Sequence, residues 1–249
     1  MEIKIQNLNI YFPTEYPDMN GRIFTKQCIE SAVEQFKQQL EVECCTKDKT
    51  LITAINKFFK VCNPITKELQ ELKCTEVEEK LLRNINTNNT VQVYKNRQVG
   101  FTTLMCAYAT CEMFMSETPV KILYMSPNGM LKRDVNDKVK DFIAQIPRSA
   151  YGNISNVSAD SKLFKQLNRD RIVMENGSEI MFCTSDLNRL RGARADIVII
   201  DEFDYYPKET MDYILAIIPK NGKIISSACL PEKIRDKNVF VWVWECIYS

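Results

Sequence analysis

The chain is 249 residues long, 45% hydrophobic and 26% charged, the balance of a globular protein with room for a sizeable core. Its net charge is +1, so no overall field marks it for nucleic acid, although a local basic surface is compatible with that value. It has no histidine. That removes Ser-His-Asp and Cys-His catalysis and every histidine-held metal, and leaves carboxylates, lysine, arginine, hydroxyls and a bound ion for any chemistry.

The ten cysteines form no C-x-x-C pair; the nearest groupings are Cys44–Cys45 and Cys106 with Cys111. They read as reduced, intracellular thiols rather than a zinc framework. No stretch approaches the ~20 apolar residues of a membrane span, and "MEIKIQNLNIYF" lacks the order of a signal peptide.

In chain order, residues 1–12 alternate polar and apolar side chains, which predicts a strand. Cys28, Ile29, Val33 and Phe36 recur at helical spacing behind Thr25, an expected N-cap. A second helix is expected over 50–62, and a third in "TEVEEKLLRNI", opened by the capping box Thr75-x-x-Glu78. After "NTNNT" the pattern changes to strands alternating with helices. A strand at 91–95 leads through a loop to the apolar helix "TTLMCAYATCEMFMS". A strand at 120–126 precedes an amphipathic helix, and residues 170–184 form a hairpin turning at Asn176-Gly177. "ADIVIIDE" is a fully buried strand. A helix starting at Pro207 and the strand "GKIISSA" follow. This order predicts an α/β fold with a mainly parallel sheet and helices on both faces. The expected division is a small mixed or helical appendage over 1–65 and the α/β domain over 66–249.

Two motifs carry the chemistry. "VYKNRQVGFTT" (93–103) follows a strand and opens a helix, where a phosphate-binding loop belongs. Gly100 permits close backbone approach, the helix N-terminus favours an anion, and the Thr102 hydroxyl can serve Mg²⁺. The usual lysine slot holds Phe101. Lys95 can reach over the loop from its other side, and Arg97 can do similar work or stabilise transition-state charge. About a hundred residues on, "IVIIDEFD" (197–204) delivers two acids at the end of a buried strand, the edge at which open α/β sheets bind ligands. Asp201 can hold the metal, and Glu202 can orient or deprotonate a water. Ser226 and Ser227 end the next strand and can sense the γ-phosphate.

At these residues the chain resembles the large terminase subunits of tailed phages, the ATPases that pump DNA into proheads. "KNRQVGFTT" is similar to their R-Q-x-G-[KS]-[ST] loop, above all to the lambda-type variant, in which the lysine opens the loop and an aromatic residue follows the glycine. The resemblance implies that Lys95 is the displaced lysine and Arg97 an in-chain arginine finger. It implies that Asn96, Gln98, Val99, Gly100, Phe101, Thr102 and Thr103 line the nucleotide. "IVMENGSEIMFCTSDLNRLRGARADIVIIDEFDYYP" is similar to the family's hairpin, R-G segment and acidic strand, with Arg191 and Gly192 on the R-G. "KIISSA" falls on the coupling strand, with Ser226 and Ser227 where the family usually has Thr-Thr-Pro or Ser-Thr-Pro.

The implied fold of residues 66–249 is a P-loop NTPase domain of the RecA-like kind, and the implied cofactors are ATP and Mg²⁺. The implied partners are double-stranded DNA, a portal protein, a small terminase subunit and further copies in a ring, with no membrane, in the host cytoplasm and outside the virion. Such proteins also carry a ribonuclease-H-type nuclease domain; the chain ends before one, so no nuclease activity is expected of it. Two alternatives stand beside this reading: a catalytically inactive or incomplete nucleotide-binding phage protein, favoured by Phe101, and a helicase-like DNA-dependent ATPase. A basic run at Lys132, Arg133, Lys138 and Lys140 is either a DNA-backbone contact or a solvated helix face. Arg189, Arg191 and Arg194 are candidates to touch phosphates.

Overall fold

The computed structural model describes residues 2–5, 8–11, 50–63, 65–95, 97, 99–146, 163–186, 190–219 and 221–229. The chain divides into two compact units, Met1–Lys47 and Asp48–Ser249. In the smaller, β1 (Glu2–Ile5) and β2 (Leu8–Tyr11) pair antiparallel, with Glu2 opposite Tyr11. The single strand expected over 1–12 is therefore two. The helix expected behind Thr25 lies outside the described residues.

The larger unit begins at Asp48, so residues 48–65 belong with it and not with the appendage. The reason is apolar packing. Leu51, Ile52 and Ile55 of α1 (50–58) are buried with Phe59 in the same core as Leu81, Leu82 and Ile85. Each such side chain contributes about 1.5–3 kcal/mol by leaving water. The helix expected over 50–62 stops at 58. From there β3 (Lys60–Cys62) pairs antiparallel with β4 (Leu69–Glu71). The backbone of Lys60 is gripped by the Gln145 amide, which accepts from its N–H at 2.5 Å and donates to its carbonyl at 3.2 Å. Phe59 packs on Phe142 with ring centroids 4.6 Å apart.

α2 (Glu76–Thr87) starts as its sequence predicts. The Thr75 side chain accepts from the Glu78 N–H, and the Glu78 carboxylate accepts from the Thr75 N–H at 2.8 Å. β5 (Thr90–Lys95) leads to α3 (Phe101–Met115), which is buried along almost its whole length, as a helix apolar on every side must be. β6 (Lys121–Met125) leads to α4 (Gly129–Gln145), capped by the Asn128 side chain, which accepts from the N–H groups of Met130 and Leu131.

β7 (Phe164–Leu167), β8 (Arg171–Met174) and β9 (Glu179–Cys183) run antiparallel in series. β7 has no counterpart among the elements the sequence predicts. The β8–β9 turn falls at Asn176-Gly177, with Gly177 at φ +94°, a conformation glycine adopts without steric cost. β10 (Ile197–Ile200) is buried throughout. A 3-10 turn (Phe203–Tyr205), α5 (Lys208–Ile217) and β11 (Lys223–Cys229) follow.

The sheet order is β5-β11-β10-β6-β9-β8-β7. The first five strands are parallel and the last two antiparallel. One face carries α2, α3 and α4 over Ile122, Tyr124, Ile197, Ile199 and Ile225. The other carries α5 over Leu123, Met125, Val198 and Ile200. This is the RecA-like P-loop ATPase architecture expected of the sequence. β11 lies between the loop strand β5 and the acidic strand β10, so residues at the end of β11 stand between the two motifs. Among the described residues no helix is long and apolar enough to cross a membrane.

Candidate active site

The loop leaves β5 at Lys95, whose side chain is folded inward and only 6% exposed. Asn96 and Gln98 lie outside the described residues. Arg97 is exposed, and its Nη2 donates to the Tyr205 hydroxyl at 3.5 Å. Val99 packs against the main core. Gly100 is the N-cap of α3 at φ +84°, with no side-chain cap bond. A side chain is strained at that φ, while a Cβ there would meet the Glu78 Oε1 at an unobjectionable 3.6 Å. Conformation, not space, demands glycine. Among the described residues no side chain caps the first amides of α3, which stand at the positive end of the helix dipole, a ready anion site. Phe101 turns into the core at 3% exposure. It cannot do a lysine's work; its ring instead lies 5.6 Å from the Lys95 Nζ, a cation–π contact.

The acidic strand meets this loop directly. Asp201, 7% exposed, accepts from the Thr102 hydroxyl at 2.5 Å and from the Ser227 hydroxyl at 2.8 Å, and lies 3.7 Å from the Lys95 Nζ. A buried carboxylate needs such partners, because an isolated charge would be desolvated without compensation. Hydroxyl and carboxylate oxygens converging from α3 and β10 form a donor set of the kind a hard divalent cation such as Mg²⁺ takes.

Glu202 is held at φ 55°, one of two non-glycine residues with positive φ among those described. Strain of this sort costs on the order of 1–3 kcal/mol and gathers at functional sites. Its N–H donates to the Ser227 Oγ at 3.2 Å, and its Oε1 accepts from the Cys229 thiol at 3.9 Å. Ser227 thus ties both acids together. Ser226 does not join them. Side chains alternate along a strand, so Ser226, opposite Ile200, faces the side covered by α5. Nearby, burial first and then the charges of Asp201 and Glu202 push the Tyr206 phenol well up, so it stays neutral.

The remaining sequence candidates are dispersed. Thr103 accepts from the Lys138 Nζ at 2.9 Å. Arg191 and Arg194 are exposed, Gly192 turns at φ +76°, and Arg189 lies outside the described residues. Lys132 pairs with Asp170. Arg133 is exposed. The contacts of Cys229 and Tyr205 have no signal in the sequence. The inward direction of Lys138 does have one, which the basic run obscures: Lys138 lies three residues after Val135 and four before Phe142, both buried.

A parallel sheet with an uncapped glycine loop opening the helix after one strand, and a buried acid ending another two places away, defines the P-loop ATPase fold. Residues 80–215 match the family described as "Phage terminase large subunit gpA, ATPase domain", and the chain belongs to that family. The large terminase of bacteriophage HK97 is similar in structure, with a TM-score of 0.57 at 13% identity over 73% of this chain and 37% of that one. The chain therefore spans little more than a third of that protein, and at this identity the likeness is one of fold. The large terminase ATPase domain of Thermus phage P74-26 has a TM-score of 0.45 at 18% identity, over 63% of this chain and 64% of that one. No curated protein matches.

Proposed function

We propose that the chain is the ATP-hydrolysing motor domain of a viral DNA-packaging terminase. The observation that carries this reading, beside the family, is the meeting of Thr102 and Asp201 at 2.5 Å. It brings together a hydroxyl at the start of the loop helix and a carboxylate at the end of the acidic strand, the residue types and places that hold the metal in P-loop ATPases. In this reading the α3 amides and Lys95 hold the phosphates, and Thr102 and Asp201 hold Mg²⁺. Bound Mg²⁺ would neutralise charge on the β- and γ-phosphates. Glu202 orients the attacking water and accepts its proton, and Arg97, exposed at the surface, swings in to the γ-phosphate. Ser227, bonded to both acids, is placed to pass their state to β11. The partners proposed are double-stranded DNA, a portal protein, a small terminase subunit and sister subunits in a ring, in the host cytoplasm.

The test is Mg²⁺-dependent ATP hydrolysis with and without double-stranded DNA. Lys95→Ala and Glu202→Gln should each lower turnover by on the order of 10²-fold or more, while Glu202→Gln keeps nucleotide binding. DNA should raise wild-type turnover. A folded wild type that binds ATP without turning it over in any condition would instead mark an inactive nucleotide-binding protein.

A further inference from the structure

α4 turns its apolar face to the sheet and α3 through Val135, Val139, Phe142 and Ile143. Lys138 flanks that stripe and is half-buried, and its Nζ donates to the Thr103 Oγ1 at 2.9 Å. Among the described residues no carboxylate pairs with it. Asp134, Asp137 and Asp141 of the same helix are exposed, and its neighbour Lys132 has Asp170. The Cys106 thiol, close enough to feel its charge, is pushed up to about 12, chiefly by burial, and stays protonated. Asp201, whose charge reaches the same Cys106 thiol, is taken by Thr102, Ser227 and Lys95.

This placement is electrostatically costly in the structure as it stands. Thr103 is the third residue of α3, so the ammonium sits at the positive end of a helix dipole, where a cation is disfavoured. A partly buried ammonium is also better placed opposite a charge than opposite a hydroxyl. An anion bound to the first amides of α3 removes both penalties. Lys95 cannot supply that anion's full counter-charge, because its Nζ is shared with Asp201 at 3.7 Å and held against the Phe101 ring. Lys138 carries a half-buried charge that no carboxylate offsets among the described residues. Its flexible stem and three donors let it leave Thr103 for a phosphate oxygen within a side-chain length.

We infer that Lys138 is a second phosphate-binding cation of the nucleotide site, contacting the polyphosphate and supplying from α4 the charge that Phe101 cannot. The inference rests on the reading of this loop as a nucleotide site. It predicts a residue whose contribution scales with phosphate number rather than with the adenosine.

The test is equilibrium binding of ATP, ADP and AMP, with Mg²⁺, to the whole chain and to Lys138→Met, Lys138→Gln and Lys138→Arg, with melting temperatures recorded without nucleotide. Glutamine keeps a donor for Thr103 and loses the charge, so it separates phosphate binding from support of α3 if the methionine variant fails to fold. ATP and ADP affinity should fall by about tenfold or more in Lys138→Gln, the usual loss of a hydrogen bond to a charged group. AMP should be little changed, and arginine should restore most of the loss. Wild-type ATP affinity in folded Lys138→Gln, or an equal loss for all three nucleotides, overturns the inference and leaves the site reading intact. A folded wild type with no affinity for ATP overturns the site reading itself.

Discussion

Thr102 and Asp201, 99 positions apart, share a 2.5 Å hydrogen bond between the first turn of α3 and the end of β10. The bond joins the two motifs with oxygen donors alone, so the pair should act as one metal site. Asp201→Asn and Thr102→Ala should each lower Mg²⁺-dependent turnover by on the order of 10²-fold or more, and Thr102→Ser should retain a measurable part of it. Chelation of Mg²⁺ should abolish wild-type turnover and leave the far-ultraviolet circular dichroism unchanged. Turnover in Asp201→Asn at the wild-type rate would remove Asp201 from the metal's ligands.

The adjacent serines of β11 should behave differently. Ser227 donates to Asp201 and accepts from the Glu202 N–H, whereas Ser226 points to the opposite face. Ser227→Ala leaves the Glu202 N–H without that acceptor and loosens the carboxylate that orients water. Its turnover should fall by roughly tenfold to a hundredfold, the range expected of a misplaced acid–base group. Ser226→Ala should change turnover by less than about twofold, since it touches neither acid. Steady-state kinetics on the two variants settle the matter, and equal losses would contradict the alternation.

That asymmetry marks where the sequence stops being legible. The capping box at Thr75 and Glu78, the turn at Asn176-Gly177 and the strand Ile197–Ile200 are local patterns with one physical solution, and each element forms where its pattern predicts. The loop and the acids are visible as motifs, but their meeting depends on β11 lying between β5 and β10, which no local pattern states. Which of two consecutive serines faces the acids depends on strand phase, fixed by partners far away in sequence. The helix expected over 50–62 ends early for a related reason. Apolar residues continue through Val61, but the chain past Phe59 is captured by Gln145 and β4. Lys138 falls within a basic run that reads as a solvated face, although its spacing from Val135 and Phe142 places it at the edge of the buried stripe.

Burial of Cys106 should make the fold sensitive to alkali. Its thiol is raised from 9.0 to about 12, with burial the main cause and Asp201 adding to it, while Lys138 opposes. In the unfolded chain the thiol ionises above about pH 9; in the native state it stays protonated until about pH 12. The native state thus holds the extra proton between these values, and stability falls as pH rises through that window, by up to about 1.4 kcal/mol per pH unit for this group. Below pH 9 the contribution is constant. Urea unfolding at pH 8, 9, 10 and 11 should show a shallower alkaline decline for Cys106→Ala than for the wild type, whatever their offset at pH 8. Parallel declines would show that the thiol ionises in the native state as readily as in the unfolded one.

The basic run of α4 divides by function. Lys132 is committed to Asp170 and Lys138 to Thr103. Arg133 remains exposed and, with Arg169 of the β7–β8 turn, lines a cleft of about 410 Å³ at the N-terminus of α4 that also takes in Gly129, Lys132, Thr184 and two acids, Asp170, which Lys132 neutralises, and Asp186. Two guanidinium groups from separate elements, beside a helix N-terminus, suit a phosphate of the DNA backbone better than they suit one another. The double change Arg133→Ala and Arg169→Ala should therefore weaken DNA binding and make it less sensitive to salt than in the wild type, because fewer counterions are released. ATP hydrolysis without DNA should stay within about twofold of wild type, since neither residue touches the loop or the acids. Fluorescence-anisotropy titrations with duplex DNA at several salt concentrations read the effect. Removing two phosphate-binding groups should lower the salt slope by about two, and an unchanged slope would place the DNA elsewhere on the domain.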